Sequence, residues 1–280
     1  MIAIFGTGLL GAAFARALRR RGETVRVWNR SRDKAAALAQ AGIDVADTPA
    51  DAIAGAARTH VVLSDDAAVD DVLARAQPQP GAWIVDHTTT STAGALARTA
   101  HWREHGVTYL HAPVFMGPGN AESGTGLILV SGDREVVATA TPWLSSMTGS
   151  VVDLGPRVDA AAGLKLVGNL LLMALTAGFA DMLALGKAMG VAPADVAGLL
   201  RHFNPGASLP ARLQRMIDAP YDAPSWTLAM ARKDAALIQA ECDRGGVPLA
   251  VLPTILARMD GLLAQGLGDK DWTVFGRDAL

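Results

Sequence analysis

Residues 2–20 read IAIFGTGLLGAAFARALRR, and this stretch decides how the first half of the chain folds. Four apolar residues typical of a buried strand lead into Gly6-x-Gly8-x-x-Gly11, and a helical pattern follows. A glycine loop between a strand and a helix is typical of dinucleotide-binding units. Gly6 permits the tight turn, Gly8 lets the backbone approach a pyrophosphate, and Gly11 lets helix and strand pack closely. The alternative is a glycine-rich turn that binds no ligand.

The helix that starts after this loop offers free N–H groups and a positive dipole to phosphates. The loop and first helical residues are therefore predicted to contact the cofactor: Gly6, Thr7, Gly8, Leu9, Leu10 and Gly11.

Strands and helices alternate along the rest of the first half of the chain. The runs TVRVW, THVVLS, AWIVDH and VTYLH are predicted strands with helical stretches between them, and LILVSG and SVVDL close the region. This alternation predicts βαβ units and a mostly parallel sheet. Because LILVSG lies close to its neighbours in sequence, we expect the far edge of the sheet to be mixed.

The second half of the chain has helical periodicity and no convincing strand. A Leu/Ala/Met-rich helix covers about residues 160–188, and further helical patterns separated by prolines follow. The predicted fold class is therefore α/β, with an N-terminal Rossmann dinucleotide-binding domain over 1–157. An interdomain helix and an all-α C-terminal domain occupy 158–280.

The composition excludes several classes of protein. The chain has 280 residues, half of them apolar, a formal net charge of −2 and one cysteine, Cys242. The basic residues are scattered, so no nucleic-acid partner is expected. One cysteine allows no disulfide framework, and no charged segment precedes the first strand as in a signal peptide. A cytoplasmic location is expected.

The stretch from Leu166 to Ala180 is the best candidate for a membrane span. It is shorter than the ~20 residues that a spanning helix needs, and it contains Gly168, Asn169 and Thr176. We therefore expect a buried helix of a soluble protein and no membrane partner. The large apolar helical domain predicts a homodimer or homotetramer.

The end of the second strand indicates which dinucleotide binds. A carboxylate there would accept from the ribose hydroxyls of NAD, but the sequence has Asn29, Arg30, Ser31 and Arg32 instead. Two guanidiniums and a hydroxyl can receive a 2′-phosphate. NADP(H) is therefore predicted in preference to NAD(H). The alternative is a solvated basic loop with Ser31 capping the next helix.

Two more loops follow strand ends, where ligands of open α/β sheets bind. One runs from Leu63 to Asp66, and the other from Asp86 to Ser91. The predicted cofactor contacts in them are Leu63, Ser64, Asp65 and Thr89. The alternative is that Asp65 and Ser91 only cap helices.

Two polar residues stand at the head of the most apolar helix. Lys165 and Asn169 are four residues apart, so they lie on one helical face while the leucines and methionines lie elsewhere. The alternative for Lys165 is a lysine whose charged end reaches solvent from a helix start.

The sequence resembles the β-hydroxyacid dehydrogenase family, and the matching segments run through nearly the whole chain. They are FGTGLLGAAFARAL, VWNRS, DHTTTS, HAPV with the later SG of LVSGD, LKLVGN, ARKDAAL and GDKDWTV. The resemblance implies a Rossmann domain, a long interdomain helix and a helical domain. It also implies that Lys165 is the acid/base, that Asn169 helps to hold the substrate, that Thr89 lies near the nicotinamide, and that Lys233 reaches toward the cofactor. Hydride arriving at a carbonyl carbon builds charge on the oxygen, and a donor such as Lys165 must meet it with a proton.

The sequence departs from the family pattern in two places. Phe115, Met116 and Gly117 stand where the family has Ser-Gly-Gly to hold a substrate carboxylate, and Asp159 and Ala161 replace glycines before the lysine. The predicted substrate contacts are Phe115, Met116, Gly117, Lys165 and Asn169. Because Phe115 and Met116 are apolar, they favour a less polar substrate.

These residues predict an NADP(H)-dependent oxidoreductase that acts on a small carbonyl or β-hydroxy acid compound. One alternative is an imine reductase-like enzyme on an apolar substrate, although those enzymes usually have aspartate or tyrosine at the position of Lys165. Another is an NADP(H)-binding module without catalysis. His101, His105 and His111 have no thiolate or carboxylate set to complete a metal site, so no metal is expected.

Overall fold

The computed structural model describes all 280 residues, which fold into two compact units, Met1–Asn169 and Leu170–Leu280. The division falls inside one long helix, after the boundary at residue 157 that the sequence predicts. The first turn of that helix belongs to the first unit, where Ala160, Ala161 and Ala162 are buried.

The first unit is built on a six-stranded sheet. Its strands are β1 (Ile2–Phe5), β2 (Val25–Trp28), β3 (Asp44–Val45), β4 (Arg58–Val61), β5 (Trp83–Asp86) and β6 (Thr108–His111). All neighbours pair in parallel, in the order β3-β2-β1-β4-β5-β6. This is the strand order of a Rossmann fold, and it brings the ends of β1, β2, β4 and β5 to one edge. The predicted α/β fold class is confirmed.

Helices cover the sheet and enclose two apolar cores. They are α1 (Leu9–Arg20), α2 (Arg32–Ala36), α3 (Pro49–Ile53), α4 (Asp66–Ala76), α5 (Thr92–Glu104), α6 (Pro118–Ser123) and α7 (Arg134–Ser145). Ile4 of β1 lies in one core with Phe14 of α1, and the next residue, Phe5, lies in the other with Leu73 of α4. This alternation follows from the two-residue period of a strand.

A second, three-stranded sheet corrects the expectation of a mixed sheet edge. It consists of β7 (Val114–Phe115), β8 (Leu127–Val130) and β9 (Ser150–Asp153). The β7–β8 pair is antiparallel and the β8–β9 pair is parallel, so the antiparallel pair is separate from the main sheet. The two-residue strands β3 and β7 were not predicted, because they are too short to have a hydrophobic period.

The second unit is helical throughout. The long helix α8 (Ala160–Ala188) enters it, and α9 (Pro193–Leu199), α10 (Leu209–Asp218), α11 (Leu228–Gly245) and α12 (Leu252–Leu263) follow, with short 3₁₀ helices at Pro205–Ser208 and Trp272–Ala279. Its core contains Leu228, Met259, Leu262 and Val274. The Asp181 carboxylate of α8 accepts hydrogen bonds from the backbone N–H groups of residues 250–252, which fixes the start of α12.

The apolar face of α8 is exposed, which corrects the prediction of a buried helix. Leu170 and Met173 are 69 % and 68 % exposed, and Leu171, Leu172, Leu175, Phe179 and Leu183 are exposed as well. By length and composition, α8 is the one helix that could cross a membrane, and its most apolar stretch is not buried within the chain. Monomeric soluble proteins rarely expose large apolar surfaces.

Candidate active site

The glycine loop between β1 and α1 fits a pyrophosphate. Gly6 has a φ of +91°, and a Cβ there would lie 2.0 Å from the carbonyl oxygen of Val62. A Cβ on Gly11 would lie 2.0 Å from the carbonyl oxygen of Gly6, whereas a Cβ on Gly8 would meet nothing within 4 Å. No side chain caps α1 at Gly8, so its first N–H groups are free for a ligand.

A cleft of about 840 Å³ opens along this edge of the sheet, entirely within the first unit. Its volume is in the range of cofactor and ligand sites. The predicted residues that line it are Gly6, Gly8, Leu9, Leu10, Gly11, Asn29, Arg30, Ser31, Leu63, Ser64, Asp65, Thr89, Met116 and Lys165. Polar and charged residues that line it without having been predicted as contacts are Lys34, Asp71, His87 and Thr88. Thr7 is absent from the wall because its side chain is buried.

Asn29 fixes the loop after β2, which forms the basic end of the cleft. Its side-chain oxygen accepts from the backbone N–H of Thr7 at 3.0 Å, and its amide donates to the carbonyl oxygen of Ser31 at 2.9 Å. Arg30, Ser31 and Lys34 line the wall, and the Ser31 hydroxyl makes no capping hydrogen bond to α2. The alternative in which Ser31 serves as a cap is therefore not observed.

Arg32 does not line the cleft, and its predicted contact with the cofactor stays a prediction. Its guanidinium pairs with Asp47, and both side chains are largely exposed. Lys34 provides the second cation of the wall instead. It stands one helical turn after Ser31 in α2, and this spacing is the signal that could have identified it.

The loops after β4 and β5 are tied to each other. The Leu63 N–H donates to the Thr88 hydroxyl at 3.0 Å, and the Thr88 N–H donates to Asp86 at 2.9 Å. Asp65 caps α4 and Ser91 caps α5, as expected from the alternative in which these residues cap helices. Asp65 also lines the cleft, so capping and lining are not exclusive.

His87 is the one histidine of the cleft wall, and it is neutral near pH 7. Its Nε2 lies 2.9 Å from Nδ1 of His60, and its Nδ1 lies 2.7 Å from the carbonyl oxygen of Ala112. Burial lowers the pKa of His87 to about 4. His87 is therefore unsuited to hold a transferable proton at neutral pH. The structure brings no set of three metal ligands together from these or other histidines.

Lys165 enters the cleft from α8, and the start of this helix is fixed by Ser131. The Ser131 hydroxyl accepts from the N–H of Ala161 at 3.0 Å and donates to the carbonyl oxygen of Val158. Lys165 is only 8 % exposed, and no carboxylate pairs with its ammonium. Desolvation lowers the pKa of Lys165 from its ordinary value. A buried lysine without a counterion in a cleft is a candidate proton donor.

The remaining predicted substrate contacts do not line the cleft. Phe115 lies with its ring under the Lys165 ammonium, and Gly117 directly precedes α6, where its N–H donates to the side chain of Asn120. Asn169 is half-buried one turn after Lys165 in α8. Lys233 lies on α11 in the second unit, where it pairs with Asp234 at 2.8 Å. Its predicted approach to the cofactor stays a prediction.

We expect Gly6→Ala to destabilise the protein strongly, because the methyl group would collide with the Val62 carbonyl. Gly22 is a matched control, since its φ of +89° is nearly the same and a Cβ there meets nothing. Both changes carry the positive-φ cost of about 1–2 kcal/mol, and overpacking adds about 1–3 kcal/mol at Gly6 alone. Urea unfolding of both variants measures the difference. Equal losses would show that the loop is not packed tightly at Gly6.

Two family models cover the chain. One, described as the NAD binding domain of 6-phosphogluconate dehydrogenase, matches residues 1–155. The other, described as NAD-binding of NADP-dependent 3-hydroxyisobutyrate dehydrogenase, matches residues 160–276.

Individual proteins agree with these models. NAD-dependent L-serine dehydrogenase of Pseudomonas aeruginosa is 29 % identical over 98 % of this chain and 95 % of its own length. The 3-hydroxyisobutyrate dehydrogenase of the same organism is 32 % identical over 73 % of this chain and 70 % of its own. A solved reductive aminase from Aspergillus terreus, in complex with NADPH4, cyclohexanone and allyl amine, superposes with a TM-score of 0.90. It is 26 % identical, over 100 % of this chain and 99 % of that one.

Proposed function

Because the chain belongs to the β-hydroxyacid dehydrogenase family and is an NAD(P)-dependent oxidoreductase, we propose that it uses NADP(H) to interconvert a small carbonyl compound and its hydroxy form. The observation that carries this proposal is the position of Lys165. A largely buried lysine without a counterion shares one cleft with the glycine loop of a dinucleotide site.

In this proposal, one part of the cleft binds the phosphates of the cofactor and another binds the reacting carbonyl. The free N–H groups at the start of α1 bind the pyrophosphate, and Arg30, Ser31 and Lys34 bind the 2′-phosphate. When bound, the nicotinamide supplies or accepts a hydride. Thr88 and Thr89 follow β5, which lies on the opposite side of β1 from β2, and we place the reacting carbonyl beside them and Lys165.

Lys165 holds the proton that the reaction needs. As the carbonyl carbon is reduced, its oxygen gains an electron pair, and the Lys165 Nζ gives that oxygen a proton. In the reverse direction, the neutral amine accepts the hydroxyl proton. The lowered pKa of Lys165 supports both directions, because it brings the two protonation states closer in energy near neutral pH. Asn169, on the same helical face, positions the substrate.

The substrate proposal is a carbonyl compound with a less polar part. Met116 lines the cleft near Lys165 and brings an apolar side chain where the family loop has a glycine. An imine substrate is the second candidate, and the similarity to the reductive aminase supports it. A protonated imine would lie beside the Lys165 ammonium, however, and two like charges in a desolvated site repel each other. We therefore favour the carbonyl.

Turnover with a panel of substrates tests this function. Purified protein is incubated with NADPH and aldehydes, keto acids or preformed imines, and loss of the reduced nicotinamide is followed. We expect the best kcat/KM on a carbonyl compound with an apolar part. Faster turnover of imines would favour the second candidate. Cofactor binding without turnover of any compound would indicate a binding module.

We also propose that the exposed face of α8 associates with a second copy of the chain, giving a homodimer or homotetramer in the cytoplasm. The exposed leucines of this face form a continuous apolar surface, and such surfaces are typical of obligate subunit contacts. Asp181 and Lys187 lie in the same helix, which makes a second subunit a better cover than lipid.

Charged substitutions on this face test the assembly. The double change Leu170→Glu with Met173→Glu should reduce the mass measured by light scattering to that of a monomer, because buried unpaired carboxylates are costly. Leu96→Glu, on the exposed side of α5, is the control and should leave the mass unchanged. A wild-type protein that is already monomeric without detergent would contradict the proposal.

A further inference from the structure

The ring of Phe115 lies where the family loop has a serine, and it faces the ammonium of Lys165. The Lys165 Nζ is 4.0 Å from the centre of the ring, and no hydrogen bond or ion pair holds the ammonium. A cation at this distance is attracted to the negative face of an aromatic ring, most strongly where water is excluded.

The neighbouring helix is shaped to hold this ring. A Cβ on Gly168 would lie 2.3 Å from Cζ and 2.8 Å from Cε1 of Phe115, so only glycine leaves room for the ring against α8. Glycine in the middle of a helix costs about 1 kcal/mol relative to alanine. Gly168 is one turn from Lys165. The same turn of α8 therefore leaves space for the ring of Phe115 and places the Lys165 ammonium over it.

We propose that Phe115 is a positioning residue that acts through Lys165: its ring fixes the ammonium in the cleft and favours the protonated form. The proposal rests on the proposed function of Lys165 as the proton donor. It assigns to Phe115 a role other than substrate contact, which agrees with its absence from the cleft wall.

The other charged groups around Lys165 do not provide this effect. The titratable residues of the same cleft wall are Arg30, Lys34, Asp65, Asp71 and His87, and none of them pairs with Lys165. Arg157 and Asp159, just before α8, pair with each other at 3.0 Å. The buried Asp86 carboxylate, on β5, accepts from Tyr109 and lies 3.7 Å from His111. Desolvation alone therefore lowers the pKa of Lys165, and the ring opposes it.

The test compares Phe115→Leu, which keeps an apolar side chain, with Phe115→Tyr, which keeps the ring. The pKa of Lys165 is measured directly, from the rate at which acetic anhydride labels this lysine at different pH values. We expect the pKa to fall by about 0.4–1.5 pH units in Phe115→Leu and to stay near the wild-type value in Phe115→Tyr. The alkaline loss of kcat/KM for reduction should move to lower pH by the same amount.

Two glycine variants keep the test independent of Phe115 itself. Gly168→Ala should displace the ring and lower the pKa of Lys165 in the same direction. Gly163→Ala adds the same methyl group to the same helix at ordinary contact distances, and should change neither quantity.

The possible outcomes separate this inference from the proposed function. An unchanged or raised pKa of Lys165 in Phe115→Leu overturns the inference. The ring would then affect this pKa only by excluding water, and not by stabilising the ammonium. A pKa that falls while the pH dependence of reduction does not follow it would instead show that Lys165 is not the proton donor.

Discussion

Lys165→Met should lower kcat for carbonyl reduction by ~10²-fold or more while leaving the dissociation constant of NADPH nearly unchanged. Methionine keeps the length and apolar character of the side chain but cannot give a proton to the developing oxyanion. Because Lys165 pairs with no other residue, its removal leaves no uncompensated charge, and we expect the fold to be retained. Steady-state kinetics and cofactor titration measure the two quantities.

Lys187→Met is the matched control for this prediction. Lys187 lies at the other end of α8 and is exposed, so the same chemical change should leave kcat unaltered. If Lys165→Met turned over the best substrate at the wild-type rate, the proton would come from another donor. The assignment of Lys165 would then be wrong.

Arg30→Asp should reverse the cofactor preference. We expect the wild-type protein to bind NADPH at least ~10-fold more tightly than NADH, which corresponds to ~1.4 kcal/mol. A carboxylate at position 30 would repel the 2′-phosphate and could accept from the ribose hydroxyls. A hydrogen bond to a charged group contributes ~1.5–3 kcal/mol, so NADPH binding should weaken by roughly 10- to 150-fold.

The two neighbouring cations provide the comparison. Lys34→Ala should weaken NADPH binding and leave NADH binding unchanged, because Lys34 lines the cleft. Arg32→Ala should affect neither cofactor, since Arg32 pairs with Asp47 away from the wall. Equal affinities of the wild-type protein for NADPH and NADH would contradict the assignment. One relative is named an NAD-dependent enzyme, which makes this titration informative.

The sequence predicted the parts of the fold that have a regular pattern. The glycine spacing around Gly8 and the alternation of strands and helices predicted the α/β class, and the pair Lys165 and Asn169 pointed to one face of a long helix. The domain bounds 1–157 and 158–280 stay a prediction, as do the roles of the site residues.

The sequence failed where a contact depends on residues far apart in the chain. Nothing near Arg32 indicates that Asp47 will bind it, and nothing near Phe115 indicates that Gly168 will leave space for its ring. The exposure of α8 was missed for another reason. The apolar residues of α8 predict that its surface will be buried. They do not show whether the same chain or another one buries it.

The most direct test of the central claim is a label transfer from the cofactor to the product. The protein is supplied with NADPH that carries deuterium at both hydrogen positions of the reactive carbon of the nicotinamide, together with the best carbonyl substrate of the panel. We predict one deuterium on the former carbonyl carbon of the product, with formation of this product slowed by ~10²-fold or more in Lys165→Met. A protein that binds NADPH tightly but transfers no deuterium to any compound of the panel would contradict the account.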